Sequence, residues 1–312
     1  MNAEPTPDAL SNPLLRYFAA TRPAFLSVTL VGCLLGLASA HASGVALDAV
    51  AAMLTMLFAL MAHAGINVLN DYFDALSGCD AANSERLYPF TGGSRFIQNG
   101  VLSAQATGAF GYTLLALVAV AGLWLSAHCG PTLLAVGLAG LLVGWVYSAP
   151  PLQLVNRGMG ELAVTCGWLL IMIGTDFVQR HALHVAPIAS GMAYALLVAN
   201  LLFINQFPDA KADARAGKRT LVVRLGVQRA RWGYGLLAGL GALWVAGCVA
   251  VGALPPLALL SLLSLAASAA AFRELWGGAA RPATLAPAIK LTILAALGHG
   301  LLMCAALLRQ PG

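Results

Sequence analysis

The sequence predicts an all-α, polytopic integral membrane protein with about nine transmembrane helices, and three observations carry that prediction. The mean hydropathy of the 312 residues is +0.81. Sixty per cent of the side chains are apolar and only 9% are charged, where a soluble chain carries roughly 25% charged residues. Apolar runs near the length needed to cross a bilayer, about 20 residues each, recur from one end of the chain to the other. These numbers exclude a soluble globule, and disordered, collagen-like and coiled-coil chains with it. Glycine has no three-residue period, and charges are too few for heptad edges.

The runs are taken in order along one domain, 1–312. Residues 1–20 form a lead expected in the cytoplasm, and the first span covers about 23–40. Its Ala38-Ser39-Ala40 imitates a signal-peptidase site, but the long lead and the eight later spans argue against cleavage. The second span, 48–69, runs into a polar string. The third and fourth, 104–127 and 131–147, meet at Gly130-Pro131 and are expected to form a hairpin. The fifth and sixth are 159–178 and 186–205. The seventh and eighth, 231–252 and 254–271, meet at Pro255-Pro256, and the ninth is 287–308. The six cysteines are dispersed without a C-x-x-C pair, so neither a disulfide framework nor a zinc site is expected.

Basic residues orient the bundle. With the N-terminus inside, fourteen of the seventeen Lys and Arg fall on the inner side, Arg180 and Arg309 lie outside, and Lys290 enters the last span. The two long polar connections, 70–103 and 206–230, then both face the cytoplasm. In a bacterium the membrane would be the inner one. No nucleic acid and no obligate protein partner are expected.

These connections carry the chemistry. Where the second span ends, His63, Asn67, Asn70, Asp71 and Asp74 fall on one helical face, with Asp80 following. Where the sixth ends, Asn205, Asp209 and Asp213 repeat the four-residue spacing. Carboxylates beside a bilayer are costly and are functional candidates by default. Two acidic faces brought together need a cation between them, and oxygen ligands without His or Cys suit Mg²⁺. Lys211, Arg215, Lys218, Arg219 and Arg224 stand close by in sequence and supply the positive half of a diphosphate site. Part of that basic run is a positive-inside flank, Arg229 and Arg231 above all.

The strings Asn70-Asp71-Tyr72-x-Asp74 with Gly78-x-Asp80, Tyr147-Ser-Ala-Pro-Pro151, Gly158-x-Gly160-Glu161 and Asp209-x-x-x-Asp213-x-x-x-Gly217-Lys218-Arg219-Thr220-Leu221 resemble the UbiA superfamily of intramembrane aromatic prenyltransferases. The resemblance covers most of the chain and is greatest to the dihydroxynaphthoate, menaquinone-pathway branch. Ala75 stands where the 4-hydroxybenzoate branch has an arginine, and Gln206-Phe207-Pro208 departs from the approach usual in the naphthoate branch.

The resemblance implies a UbiA-type helical bundle and Mg²⁺-dependent transfer of a polyprenyl group from polyprenyl diphosphate to an aromatic acceptor such as 1,4-dihydroxy-2-naphthoate. It implies that Asn70, Asp74, Asp209 and Asp213 hold the metal, with Asp71 and Asp80 assisting. Lys218, Arg219 and Arg95 would neutralise the departing diphosphate, and Asn67, Asn205 and Tyr147 would help to bind substrate. The reaction would run under a covering loop at the cytoplasmic edge of the bilayer, with the tail among the helices. His63, Glu161 and Lys290 each have a structural reading beside a functional one, and His299 and Asp176 read as packing or interface residues. The rival class, a cation or anion transporter, calls for polar residues or broken helices near the midplane, whereas here the carboxylates gather at one surface.

Overall fold

A computed structural model describes residues 4–309. The described residues hold nine helices long and apolar enough to span a bilayer: α1 Pro23–Ala42, α2 Ala49–Leu76, α3 Ala104–Cys129, α4 Pro131–Ser148, α5 Gly160–Arg180, α6 Ala186–Arg215, α7 Val227–Ala250, α8 Pro256–Gly278 and α9 Ala286–Leu308. No strand occurs among them. The first stretch of α8, Pro256–Ser264, is wound as a 3₁₀-helix. A short helix, Pro13–Ala20, precedes α1 and is capped by Asn12, whose side chain accepts from the Leu14 and Leu15 amides.

Two helices run further than the apolar count implied. The second helix continues to Leu76 and the sixth to Arg215, so Asn70, Asp71 and Asp74 lie on one continuous helix and Asp209 and Asp213 on the other. Pro208 sits inside α6 without ending it. The proline removes one backbone donor, and the surrounding bundle holds the helix through that point, with Phe207 and Pro208 both buried.

The sixth helix is the core of the bundle. It packs against α1, α5, α7 and α9. Its Tyr194 hydroxyl donates to the Val28 carbonyl of α1 at 2.6 Å, and Asn200 Nδ2 donates to the Tyr234 carbonyl of α7 at 3.0 Å. In a bilayer helices gain little from apolar burial against one another, so close backbone approach matters more. Gly36 supplies such an approach between α1 and α5: a Cβ there would lie 2.6 Å from the Met172 carbonyl oxygen. Gly111 does the same between α3 and α2, against Leu69.

Candidate active site

Helices α2 and α6 bring their polar ends to the same end of the bundle, and Arg180 with Asp176 lies at the other. The Arg180 Nε donates to Asp176 Oδ1 at 2.8 Å. At the motif end, the connection from Ser77 to Ser103 folds over the gap between α2 and α6.

The helical spacing of the first motif sets its geometry. Asn70 Nδ2 donates to Asp74 Oδ2 at 3.2 Å, one turn on, and to Ser148 Oγ at the end of α4 at 2.9 Å. The covering loop ties back to both motifs. The Ser94 amide donates to Asp71 Oδ1 at 3.1 Å, Asn83 Nδ2 donates to Asp209 Oδ1 at 2.6 Å, and the Gly92 amide donates to Asp209 Oδ2 at 3.3 Å. Cys79 Sγ donates to Asp213 Oδ1 at 3.0 Å.

Lys218 joins the two motifs. Its Nζ lies 3.0 and 2.9 Å from the two oxygens of Asp74 and 4.0 Å from Asp213 Oδ1. Burial works against its positive charge, yet the Asp74 and Asp213 carboxylates prevail and hold its pKa well above the usual lysine value. Asp80, on the short helix Cys79–Ala82, is 4% exposed and its Oδ2 has no partner. Burial, then the Asp74 and Asp71 carboxylates, push its pKa up to about 8. Gly93 is needed beside it, since a Cβ there would overlap the Asp80 carboxylate.

From this polar mouth a cavity of about 580 Å³ runs between α2, α3, α4, α5 and α6 into the apolar part of the bundle. Asn67, Asn70, Asp74, Asp80, Tyr147, Asn205, Asp209, Asp213 and Lys218 all line it. Asp71 does not: it is buried against the covering loop. Two cations expected at the site also lie elsewhere. Arg219 is exposed and outside the cavity, with its backbone amide bonded to the Asn156 carbonyl. Gly217, at φ +75°, turns the chain so that Lys218 enters and Arg219 faces away. Arg95 is buried beside the site rather than in it. Its Nη1 donates to the Asp80 carbonyl at 2.6 Å and its Nε lies 3.8 Å from Glu4, so it braces the covering loop.

The sequence reading missed Arg22. It precedes α1 in the left-handed region at φ 57°, lies over the Phe25 ring, and donates to the Phe90 carbonyl at 3.1 Å while lining the cavity. Before the fold is known it cannot be told from a topogenic arginine. His63 lines the cavity too, with Nδ1 2.8 Å from Thr29 Oγ1 and its ring edge-on to Trp168. Glu161 is buried just outside the cavity and accepts from Gln206 Nε2 at 2.5 Å. Lys290 is exposed on α9, and His299 is buried near Ser261 and Ser264.

The donors facing the cavity from the two motifs are hard oxygens, with an unpartnered one on Asp80, and they fit Mg²⁺. Among the described residues no three His, Cys, Asp or Glu side chains converge as a ready-made metal cage. An ion here would therefore take one or two carboxylates from the protein and the rest of its shell from water and phosphate, which is how Mg²⁺ usually binds.

A model of the UbiA prenyltransferase family matches residues 25–294. Among curated relatives, the chain is 34% identical over 194 residues to a 1,4-dihydroxy-2-naphthoate octaprenyltransferase of Mycobacterium tuberculosis; the match covers 62% of this chain and 64%, just under two thirds, of that relative. It is 30% identical over 269 residues to a protein of the same name from Escherichia coli, covering 84% of this chain and 79% of that one. Among solved structures, a UbiA homolog from Archaeoglobus fulgidus bound to GPP and Mg²⁺ superposes with a TM-score of 0.60 at 17% identity, over 93% of this chain and 99% of that one. An apo UbiA homolog from Aeropyrum pernix gives 0.62 at 16% identity, over 86% and 96%. At such identities these structures speak for the fold.

Proposed function

The chain belongs to the UbiA prenyltransferase family, and on that premise we propose that it transfers a polyprenyl group from polyprenyl diphosphate to 1,4-dihydroxy-2-naphthoate, with Mg²⁺, in menaquinone synthesis. The membrane is the bacterial inner membrane, and the polar mouth faces the cytoplasm, the side favoured by the Lys/Arg bias. One observation carries the reading. Two carboxylate motifs from α2 and α6, bridged by Lys218, stand at the mouth of a long apolar cavity. A diphosphate with a hydrocarbon tail has that same polarity from end to end. The relatives that bear the naphthoate name support the acceptor.

In this reading Asn70, Asp74, Asp209 and Asp213 would hold Mg²⁺ ions, with one or two carboxylates to each, whose part when bound is to draw charge off the diphosphate oxygens. Lys218 leaves its Asp74 partner to pair with a diphosphate oxygen, and its positive charge counts for most as the allylic C–O bond breaks. The covering loop and the apolar walls keep water from the allylic cation. Arg22 faces the acceptor carboxylate, and His63, Trp168 and Asn67 bound the ring. A ring carbon bonds to the allylic C1, diphosphate departs with the C–O electron pair, and the carboxylate on that ring carbon leaves as carbon dioxide.

The test incubates the purified protein in detergent with Mg²⁺, a prenyl diphosphate and each of 1,4-dihydroxy-2-naphthoate, 4-hydroxybenzoate and homogentisate, and weighs the lipid product by mass spectrometry. A decarboxylated prenyl-naphthoquinol is expected. Product from 4-hydroxybenzoate or homogentisate alone would refute the acceptor, and diphosphate release with none of them would refute aromatic prenylation.

A further inference from the structure

The apolar reach of the cavity has a measurable length. On α5 it is lined from Ala163 to Val178, which at 1.5 Å per residue is roughly 22 Å. An extended chain advances about 1.2 Å per bond, so an isoprene unit with four chain bonds spans roughly 5 Å and about four units fit. The mouth of this same cavity holds the buried, unpartnered Asp80 carboxylate, which marks the end that receives the charged group.

Along this wall two lining residues on one face of α5 have no side chain. Gly167 and Gly174 are seven residues apart, two helical turns, and stand about 10 and 21 Å from the Gly160 end of the helix. A Cβ built on Gly167 meets nothing within 4 Å, and one on Gly174 meets only Val136 Cγ1, at 3.6 Å. Close packing therefore does not explain either glycine, unlike Gly36. Each leaves free space on the cavity side at a different depth. Across the cavity on α4, Gly137 also meets nothing within 4 Å and is itself exposed, so the wall opens there, and isoprene units beyond the roughly four that fit can pass out of the cavity at that depth.

We propose that Gly167 and Gly174 set which prenyl donors the protein accepts, by leaving room for the second and the fourth isoprene unit of the tail. The proposal rests on the prenyl-transfer reading above and deepens it: a side chain at either position becomes a stop whose depth fixes the longest donor that can seat its diphosphate.

The experiment compares wild type, Gly167→Leu and Gly174→Leu in detergent with Mg²⁺ and 1,4-dihydroxy-2-naphthoate, reading kcat/KM for dimethylallyl, farnesyl and octaprenyl diphosphate. Dimethylallyl transfer is expected to stay within about twofold of wild type in both variants. Gly167→Leu should lose about tenfold or more with farnesyl and octaprenyl donors. Gly174→Leu should keep farnesyl transfer and lose about tenfold with octaprenyl, losses equivalent to at least about 1.4 kcal/mol. Equal losses with all three donors, or octaprenyl transfer unchanged in both variants, would overturn the proposal. If either leucine variant fails to fold, Gly137→Leu on the opposite wall provides the same contrast at intermediate depth, and an unchanged donor profile there overturns it too. Wild type inactive with every donor would refute the function; wild type active with unselective variants would refute this inference alone.

Discussion

With its ammonium within 3.0 Å of both oxygens of Asp74, Lys218 is the charge that allows two acidic motifs to share one site. Removing it leaves carboxylates facing each other in a buried setting, the costly half of a broken ion pair. Lys218→Met is expected to lower kcat by about 100-fold, while Arg219→Gln, changed on the exposed side of the same turn, keeps kcat and KM near wild type. Steady-state kinetics at matched protein levels reads both. Asp74→Asn and Asp209→Asn are each expected to cost about 100-fold or more in transfer even at saturating Mg²⁺; near-normal turnover in either would remove the two-motif mechanism. Arg22→Gln should raise the acceptor KM about tenfold, the value of a charge-assisted hydrogen bond, and leave the donor KM unchanged. The asparagines and aspartates were legible because a four-residue repeat on a helix puts them on one face. Lys218 and Arg219 were not separable, since the sign of φ at Gly217 decides between them and adjacent cations look alike in sequence.

At the level of helices, the spans could be counted because each must cover the hydrocarbon, and the Gly130-Pro131 and Pro255-Pro256 breaks were visible as turns. Helices α2 and α6 run past the ends of their apolar spans for a physical reason. Hydropathy stops when polar residues begin, but a helix need not stop there if its other face still packs. Leu69 and Tyr72 lie against Gly111 and Gly108 of α3, and Phe207 and Pro208 remain buried; that packing carries the helices through the motifs. Where helices meet by backbone rather than side chain, substitution is unforgiving. Gly36→Leu would place a side chain against the Met172 carbonyl of α5, and a loss of about 1–3 kcal/mol is expected. A lowered melting temperature in detergent, beyond that of Gly167→Leu, checks it.

For the whole molecule, the orientation proposed from charge is open to direct labelling. Ser84 and Ala214 are exposed at the motif end. A cysteine at either, with the native cysteines replaced, should react with a membrane-impermeant maleimide only after the cells are opened. Reaction in intact cells would invert the molecule and turn its chemistry to the other side. The cavity itself was not legible, since no spacing rule tells which of the apolar helices stand apart. Even so, the sequence located its mouth.

The excess length of α6 has a consequence for turnover. At 1.5 Å per residue its 30 residues reach about 45 Å, against roughly 30 Å of hydrocarbon, so the carboxylates it carries stand in the headgroup layer while its apolar part lies in the oil. A prenyl diphosphate is held at that depth by its own charge, half in each phase. Once the proposed transfer has removed the diphosphate, the prenylated ring has no comparable anchor, and its free energy falls as it sinks toward the acyl chains. Release is then a partition between layers of the bilayer, downhill and sideways, and the two products part by solubility: one to water, the other to the hydrocarbon of the membrane.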